Sequence, residues 1–491
     1  MSNTKIILGN ELVNISDEIL KNFKKGDKLI ALSATKQILH IPAEEFLTVE
    51  KAVSCALLAF EEMNQISDKQ ITTFYEIFAK KLSDLEISAE IFQANKKDVL
   101  TAKKNGRSTT RLELKKKYLE EMIVGLNFWK NMDPIRGKVL RKVKDDGFIV
   151  EEILSSYGVI GFIFEGRPNV FIDACGVLKS GNTCVFRIGS SALNTAKAIM
   201  SLALKPALKK SGLPENAVTL IDSKAHSAAW ALFSDKRLGL AVARGSGKTV
   251  QMLGEIAKQN GIETSLHGTG GAWMIIDEQV DLKKLSFCIF NSLDRKVCNT
   301  LNTICILKKN AEKIVPKIIE TLKKKSLDFG YNFKIHATKK AKPFLSSEIL
   351  NVKVKIFTKE GVKEDFLFSE ISNSDLGIEW EWEKTPEITL HIIDNLEEGI
   401  KLFNQQSSKF VVSLISENKK NQEIFFNLIN SPFVGDGFTR WVDGQYLFKT
   451  PELGLSNWEY GRLFGRAGVL SGGDIFSVKV KMRQGDINLK R

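Results

Sequence analysis

The chain has 491 residues, 43% of them hydrophobic and 26% charged, enough for a sizeable core and about three domains. No run of about 18 apolar residues occurs, and the start MSNTKIILGNELVNISDE lacks a basic region leading into an apolar one; no membrane span or signal peptide is read, and a cytoplasmic protein is the expectation. The net charge of +13 is scattered over lysines without interleaved aromatics, which suits solvated faces rather than nucleic-acid binding, although an anionic substrate or cofactor would profit from the field.

Residues 5–8 read as a short strand and 17–23 as a helix, but no role for the first 47 residues is legible. From 47 to about 130 apolar residues recur at helical spacing, as with Val49, Ala52, Val53, Ala56, Leu57 and Phe60, so several successive helices are predicted. At 138–154 the period falls towards two around Asp145-Asp146-Gly147, the pattern of a hairpin. The unbroken apolar run 157–164 has the character of a strand buried on both faces of a parallel sheet. A helix over about 170–179 stopped by Ser180-Gly181-Asn182, a strand at 183–187, a helix over about 192–208 and strands at 217–221 and 238–243 continue the alternation, which predicts an open α/β sheet.

Arg244-Gly245-Ser246-Gly247-Lys248-Thr249 then opens a helix running to about 259. Val242 stands where a nucleotide-hydrolase loop requires glycine, so that reading is rejected. A glycine-rich turn feeding a helix can still hold a pyrophosphate on backbone amides; a dinucleotide site and a plain strand-to-helix turn both stay open. Further on, Cys298 follows Arg295 and Lys296 on a short loop between an amphipathic helix and a β-rich run. Neighbouring cations favour the thiolate, which points to a nucleophile for carbonyl chemistry, against the alternative of one more small buried hydrophobe. The six cysteines form no CxxC and the five histidines no paired spacing, so the thiols are expected to be reduced and no metal site is indicated.

EGRPNV (165–170), LKSGN (178–182), RGSGK (244–248), VCNTLNT (297–303), TRWVDG (439–444) and ELGLS (452–456) occur in the order and approximate spacing of the gamma-glutamyl phosphate reductase family, within the aldehyde dehydrogenase superfamily; the resemblance spans about 48–486. It implies an α/β, aldehyde dehydrogenase-like fold with a Rossmann-like cofactor domain, an α/β catalytic domain and a β-flap for oligomerisation. The matching division is an extension of unknown role at 1–47, an NADPH-binding domain at 48–265 with a hairpin arm at 134–154, a catalytic domain at 266–440, and a return segment with an oligomerisation strand at 441–491. The alternation of Val478, Val480 and Met482 with Lys479 and Lys481 suits that last strand, and a homo-oligomer is expected.

The resemblance also implies site residues. Cys298 and Asn169 form the catalytic pair, Asn169 giving a side-chain amide and Cys298 its backbone amide to an oxyanion. Gly245, Ser246, Gly247 and Lys248 meet the cofactor's phosphates, and Glu379 its nicotinamide ribose. Arg187 matches the cation at the adenosine ribose; Ser190 and Ser191 replace a glutamate found in many relatives, which favours NADPH over NADH. Arg167 and Arg440 are candidate clamps for substrate phosphate or carboxylates, with plain ion pairing as the alternative.

Departures accompany the matches. Leu266 stands where hydrolytic relatives have a glutamate base, which favours reduction of an acyl phosphate over release of a free acid. Trp273 replaces a histidine, Ser407-Ser408-Lys409-Phe410-Val411-Val412 replaces Gly-Ser-Gly-His-Ser-Asp, and Asp436 replaces an asparagine; all three are expected on the substrate side. The function expected is NADPH-dependent reduction of gamma-glutamyl phosphate to glutamate semialdehyde in proline synthesis. The alternatives are a reductase or dehydrogenase for another acyl phosphate or aldehyde, and a non-catalytic homologue that assembles with a partner such as a glutamate kinase.

Overall fold

The computed structural model describes residues 4–488 apart from 34, 107–108, 110–111, 359–360, 442–450, 456–457, 460–461 and 464–467. The described residues fall into two compact units, one drawn from 1–268, 448–454 and 469–491, the other from 269–447 and 455–468.

In the first unit the helical spacing becomes four helices, Ala43–Met63, Asp68–Ser83, Leu85–Lys104 and Lys116–Asn131. Their starts are set locally: Ser67 and Gln70 form a capping box, and the Asp84 carboxylate accepts from the amides of Glu86 and Ile87. Five parallel strands form a sheet in the order Glu263–His267, Leu238–Arg244, Val159–Phe164, Thr183–Ile188, Val218–Leu220. Val159–Phe164 is buried at every position, as its unbroken apolar run requires.

Two predicted helices change type along their length. Residues 170–179 are an α-helix only over Val170–Cys175 and tighten to a 3-10 turn over Gly176–Ser180. Gly176 lies so near the Trp129 ring that a β-carbon there would sit 2.3 Å from it. The stretch 192–208 is helical over Leu193–Ile199, a π turn over Met200–Leu204, and helical again over Lys205–Ser211, where Pro206 cannot donate and would crowd the preceding turn. The wider turn lets the Lys205 amide reach the Met200 carbonyl.

The hairpin arm is Val139–Asp145 and Phe148–Ser155, joined through Gly147 at φ 79°. Ser477–Gln484 adds a third antiparallel strand, pairing Met482 with Val150. The amino-terminal segment holds two small hairpins, Lys5–Leu8 with Glu11–Asn14 and Lys28–Leu32 with Gln37–Ile41, around the helix Asp17–Asn22. Its second hairpin joins the first unit: Gln259 donates to the Ala31 carbonyl, and Asp27 accepts from His40 and from the Ala43 amide that starts the first long helix.

The second unit is built on a seven-stranded parallel sheet, in the order Phe368–Ile371, Lys334–Thr338, Glu387–Ile393, Leu301–Leu307, Ala272–Ile276, Val411–Ile415, Phe433–Gly435. The helices Leu282–Ser292, Ala311–Phe329, Leu396–Gln406 and Lys419–Leu428 alternate with these strands along the chain. Among the described residues no helix is long and apolar enough to cross a membrane.

One buried and one partly buried polar group tie the first unit together. Asn182 accepts from the amides of Tyr157 (2.6 Å) and Gly158 (2.9 Å) and donates to Ser180 Oγ (2.9 Å) and the Ile475 carbonyl (2.7 Å), so the end of LKSGN is a structural lock. Arg244 joins Asp173 (3.2 Å) to Glu452 (3.1 Å). Burial holds the Asp173 carboxyl up at about 7, against the pull of Arg244 and with help from the Glu452 charge.

Replacing Asn182 with alanine leaves two amides and a carbonyl without these partners, and should lower unfolding free energy by about 3 kcal/mol in a denaturant titration. Because the folded Asp173 pKa is raised from 3.8 to about 7, its stabilising contribution is complete below the lower value and lost as pH rises through the upper one. Stability of the parent relative to D173N should therefore fall as pH is taken from about 4 to about 7 in paired denaturation curves; a flat difference would contradict the assignment.

Candidate active site

In the first unit the parallel order places the carboxyl ends of Val159–Phe164, Thr183–Ile188 and Leu238–Arg244 along one sheet edge, where open α/β sheets bind ligands. After the first of these strands, Arg167 pairs with Glu165 at 3.3 Å, and exposed Asn169 opens the helix Val170–Cys175 without making a side-chain cap bond. At the end of the second, Arg187 is only 5% exposed; it donates to the carbonyls of Lys224 (3.3 Å) and Ala225 (3.4 Å), and its Nε has no hydrogen-bond partner. Burial pushes its guanidinium pKa down while Glu45 opposes the shift.

After the third strand, Gly245 donates to the His267 carbonyl (3.2 Å) and Ser246 is the N-cap of the helix Gly247–Gln259. Ser246 makes no side-chain cap bond; its hydroxyl pairs with Thr249 Oγ1 at 3.0 Å, and Lys248 is exposed on the first turn. A helix start of this kind suits a phosphate anion. Leu266, on the neighbouring strand, is buried against Gly254.

In the second unit Cys298 lies on the loop between Leu282–Ser292 and Leu301–Leu307 and is partly exposed. Cys175, Cys184, Cys288 and Cys305 are buried, and burial pushes their thiols up, that of Cys288 to about 11. Cys55 shares partial exposure but sits within the helix Ala43–Met63.

The Cys298 loop is held through its backbone. Thr300 Oγ1 donates to the Arg295 carbonyl (2.6 Å) and accepts from the Val297 amide (2.9 Å), while the Cys298 carbonyl accepts from the Gly271 amide (2.8 Å). A β-carbon on Gly270 would stand 2.4–2.8 Å from the Cys298 main chain, so only glycine fits there. Gly270 is itself gripped, its amide by Glu379 Oε2 (2.6 Å) and its carbonyl by the Ser408 hydroxyl (2.9 Å). Glu379 Oε1 pairs with Lys296, which also lies 3.9 Å from Glu381.

Arg440 reaches the same loop: it donates to Asp294 (2.6 Å) and to the Asn299 side-chain carbonyl, and Asn299 returns a bond to the Arg440 carbonyl (3.0 Å). Cys298, Glu379 and Arg440 are thus brought together within this unit. Asn169, Arg167, Arg187 and Gly245–Lys248 share the sheet edge of the other.

One expectation changes. Lys296 does not act on the thiol as an uncompensated cation, because Glu379 neutralises it. Trp273 is buried edge-on to Phe403 and Phe410 edge-on to Phe433, both where strands enter the apolar interior. Asp436 is exposed and 4.0 Å from Lys284. Lys409, where the family has glycine, keeps a left-handed φ of 51°. Residues 442–444 of TRWVDG and 456 of ELGLS lie outside the described residues. Sequence reasoning missed Gly270 and Ser408 as supports of the loop; the glycine pair 270–271 just before a strand was the available signal.

A family model described as the aldehyde dehydrogenase family matches residues 28–338. A gamma-glutamyl phosphate reductase of Clostridium botulinum (strain Eklund 17B / Type B) is 30% identical over 381 residues, covering 76% of this chain and 84% of its own length. One from Bacillus anthracis is 29% identical over 378 residues, covering 75% and 83%. In three dimensions the crystal structure of gamma-glutamyl phosphate reductase from Thermotoga maritima matches 90% of this chain and 100% of its own, with a TM-score of 0.76 and 24% identity, a likeness of fold. The chain accordingly belongs to the aldehyde dehydrogenase family, oxidoreductases that use a nicotinamide cofactor, and within it to the gamma-glutamyl phosphate reductases.

Proposed function

We propose that the protein reduces gamma-glutamyl phosphate to glutamate 5-semialdehyde with NADPH, through a thioester on Cys298, as a step of proline biosynthesis. The observation that carries this reading is the contrast among thiols: Cys298 is partly exposed on a loop braced from several sides, whereas four others are buried with raised pKa values. The relatives named gamma-glutamyl phosphate reductase supply the substrate class.

The chemistry follows from the residues. The Cys298 thiolate attacks the acyl carbon, the carbon–oxygen bond to phosphate breaks, and inorganic phosphate leaves. The oxyanion formed on the way is held by the Asn169 side-chain amide, which no cap bond occupies, and by the Cys298 amide. NADPH, when bound, supplies the hydride that reduces the thioester; collapse then releases the aldehyde and returns the thiolate. Buried Leu266 can activate no water, so the thioester is not diverted to the free acid.

The first unit is the cofactor-binding part in this reading. The uncapped start of Gly247–Gln259, with Gly245, Ser246 and Lys248, suits the pyrophosphate, and the unpartnered Arg187 Nε suits a 2′-phosphate. Arg440, anchored at the Cys298 loop, is the stronger candidate for a substrate anion, and Arg167 the second. Glu379 is placed in this reading at the nicotinamide ribose. Val478, Val480 and Met482 are 49%, 64% and 62% exposed on one face of the arm sheet, which supports a homo-oligomer joined there.

With enzymatically generated gamma-glutamyl phosphate, NADPH oxidation should exceed that with NADH and that with other acyl phosphates. C298A should abolish turnover, and N169A should lower kcat by about a hundredfold to a thousandfold. Preference for NADH would overturn the cofactor assignment, and undiminished turnover by C298A would overturn the mechanism.

A further inference from the structure

We propose that the Lys296–Glu379 ion pair is a positioning device for Cys298: Glu379 holds the Gly270 backbone against the Cys298 main chain and at the same time cancels the cation two residues before the thiol. The inference rests on Cys298 being the nucleophile, and it gives Glu379 a task that is complete before any cofactor binds.

The two carboxylate oxygens are divided between two partners. Oε2 accepts from the Gly270 amide at 2.6 Å, and Oε1 takes the Lys296 ammonium. Both side chains are largely withdrawn from water, at 6% exposure for Lys296 and 13% for Glu379, so solvent screens the pair weakly. Gly270 transmits the grip, since its backbone leaves no room for a β-carbon beside Cys298, and the Gly271 amide bonds the Cys298 carbonyl at 2.8 Å. Glu379 is therefore joined to the Cys298 loop twice, by charge through Lys296 and by backbone through Gly270.

The charged groups around the loop define the balance. Lys296 and exposed Arg295 lie on it; Glu379 and Glu381 face Lys296 from one segment; Arg440, paired with Asp294, comes from another; Lys409 follows the Ser408 that holds the Gly270 carbonyl. Removing the Glu379 charge takes from Lys296 its close counter-ion, leaving Glu381 farther off at 3.9 Å, and favours the thiolate. Removing the Lys296 charge leaves a largely buried, uncompensated carboxylate on Gly270, the residue packed against the Cys298 main chain, and disfavours the thiolate.

The test is the pH dependence of iodoacetamide alkylation at Cys298, resolved at the peptide level, on the full chain without cofactor. E379Q, whose amide oxygen can still accept from Gly270, should lower the midpoint by about one pH unit, and K296M should raise it by about as much. K296R should restore the parent midpoint. Coincident midpoints for E379Q and the parent, or shifts of the same sign in E379Q and K296M, would overturn the proposal; E379Q decides it alone if K296M does not fold. Because alkylation needs no turnover, these curves stand apart from C298A activity, which tests the underlying reading.

Discussion

The close approach of Gly270 to the Cys298 main chain is the contact on which the proposed chemistry of the second unit depends. A loop between a helix and a strand has little intrinsic order, and a nucleophile on it needs its backbone fixed from outside. Here the fixing groups come from three directions: Gly270 and Gly271 before one strand, Glu379 and Ser408 gripping Gly270, and Arg440 with Thr439 on Asn299. A buried ion pair such as Lys296–Glu379 adds little net stability, because desolvation offsets most of the attraction. Its value lies in geometry, which is why both carboxylate oxygens have assigned partners.

The first unit uses buried polarity in the same way. Asn182 joins the start of one central strand to the carboxy-terminal segment, and Arg244 joins Asp173, on the helix that Asn169 opens, to Glu452, the first residue of the strand Glu452–Leu455. The motifs LKSGN, RGSGK and ELGLS therefore serve the scaffold through Asn182, Arg244 and Glu452. Lys409 shows what the scaffold can impose: a left-handed lysine costs about 1–2 kcal/mol, yet the Ser407 hydroxyl accepts its amide at 2.9 Å and holds the turn.

Most of the architecture was legible from spacing alone. The unbroken run at 159–164 and the helical period after residue 47 became the elements expected, because burial on two faces and burial along a stripe leave different patterns, and the alternation at 477–482 became a strand whose apolar face is exposed in this chain. The 3-10 and π turns were not legible, since they answer to Trp129 beside Gly176 and to Pro206 in a packed helix. For the site, Cys298 stood out by its neighbours, but the charge state of those neighbours did not: Glu379 lies 83 residues from Lys296. The burial of Trp273 and Phe410 was not legible for a related reason, because a substitution in a motif does not say which face of a strand it occupies.

The central claim is that an acyl group passes through the sulfur of Cys298. The most direct measurement is mass spectrometry of the full-length protein and its Cys298 peptide after mixing with gamma-glutamyl phosphate in the absence of nicotinamide cofactor. The account predicts a glutamyl adduct on that peptide which disappears when NADPH is added. An unmodified Cys298 peptide in a preparation that turns over once NADPH is supplied would contradict it.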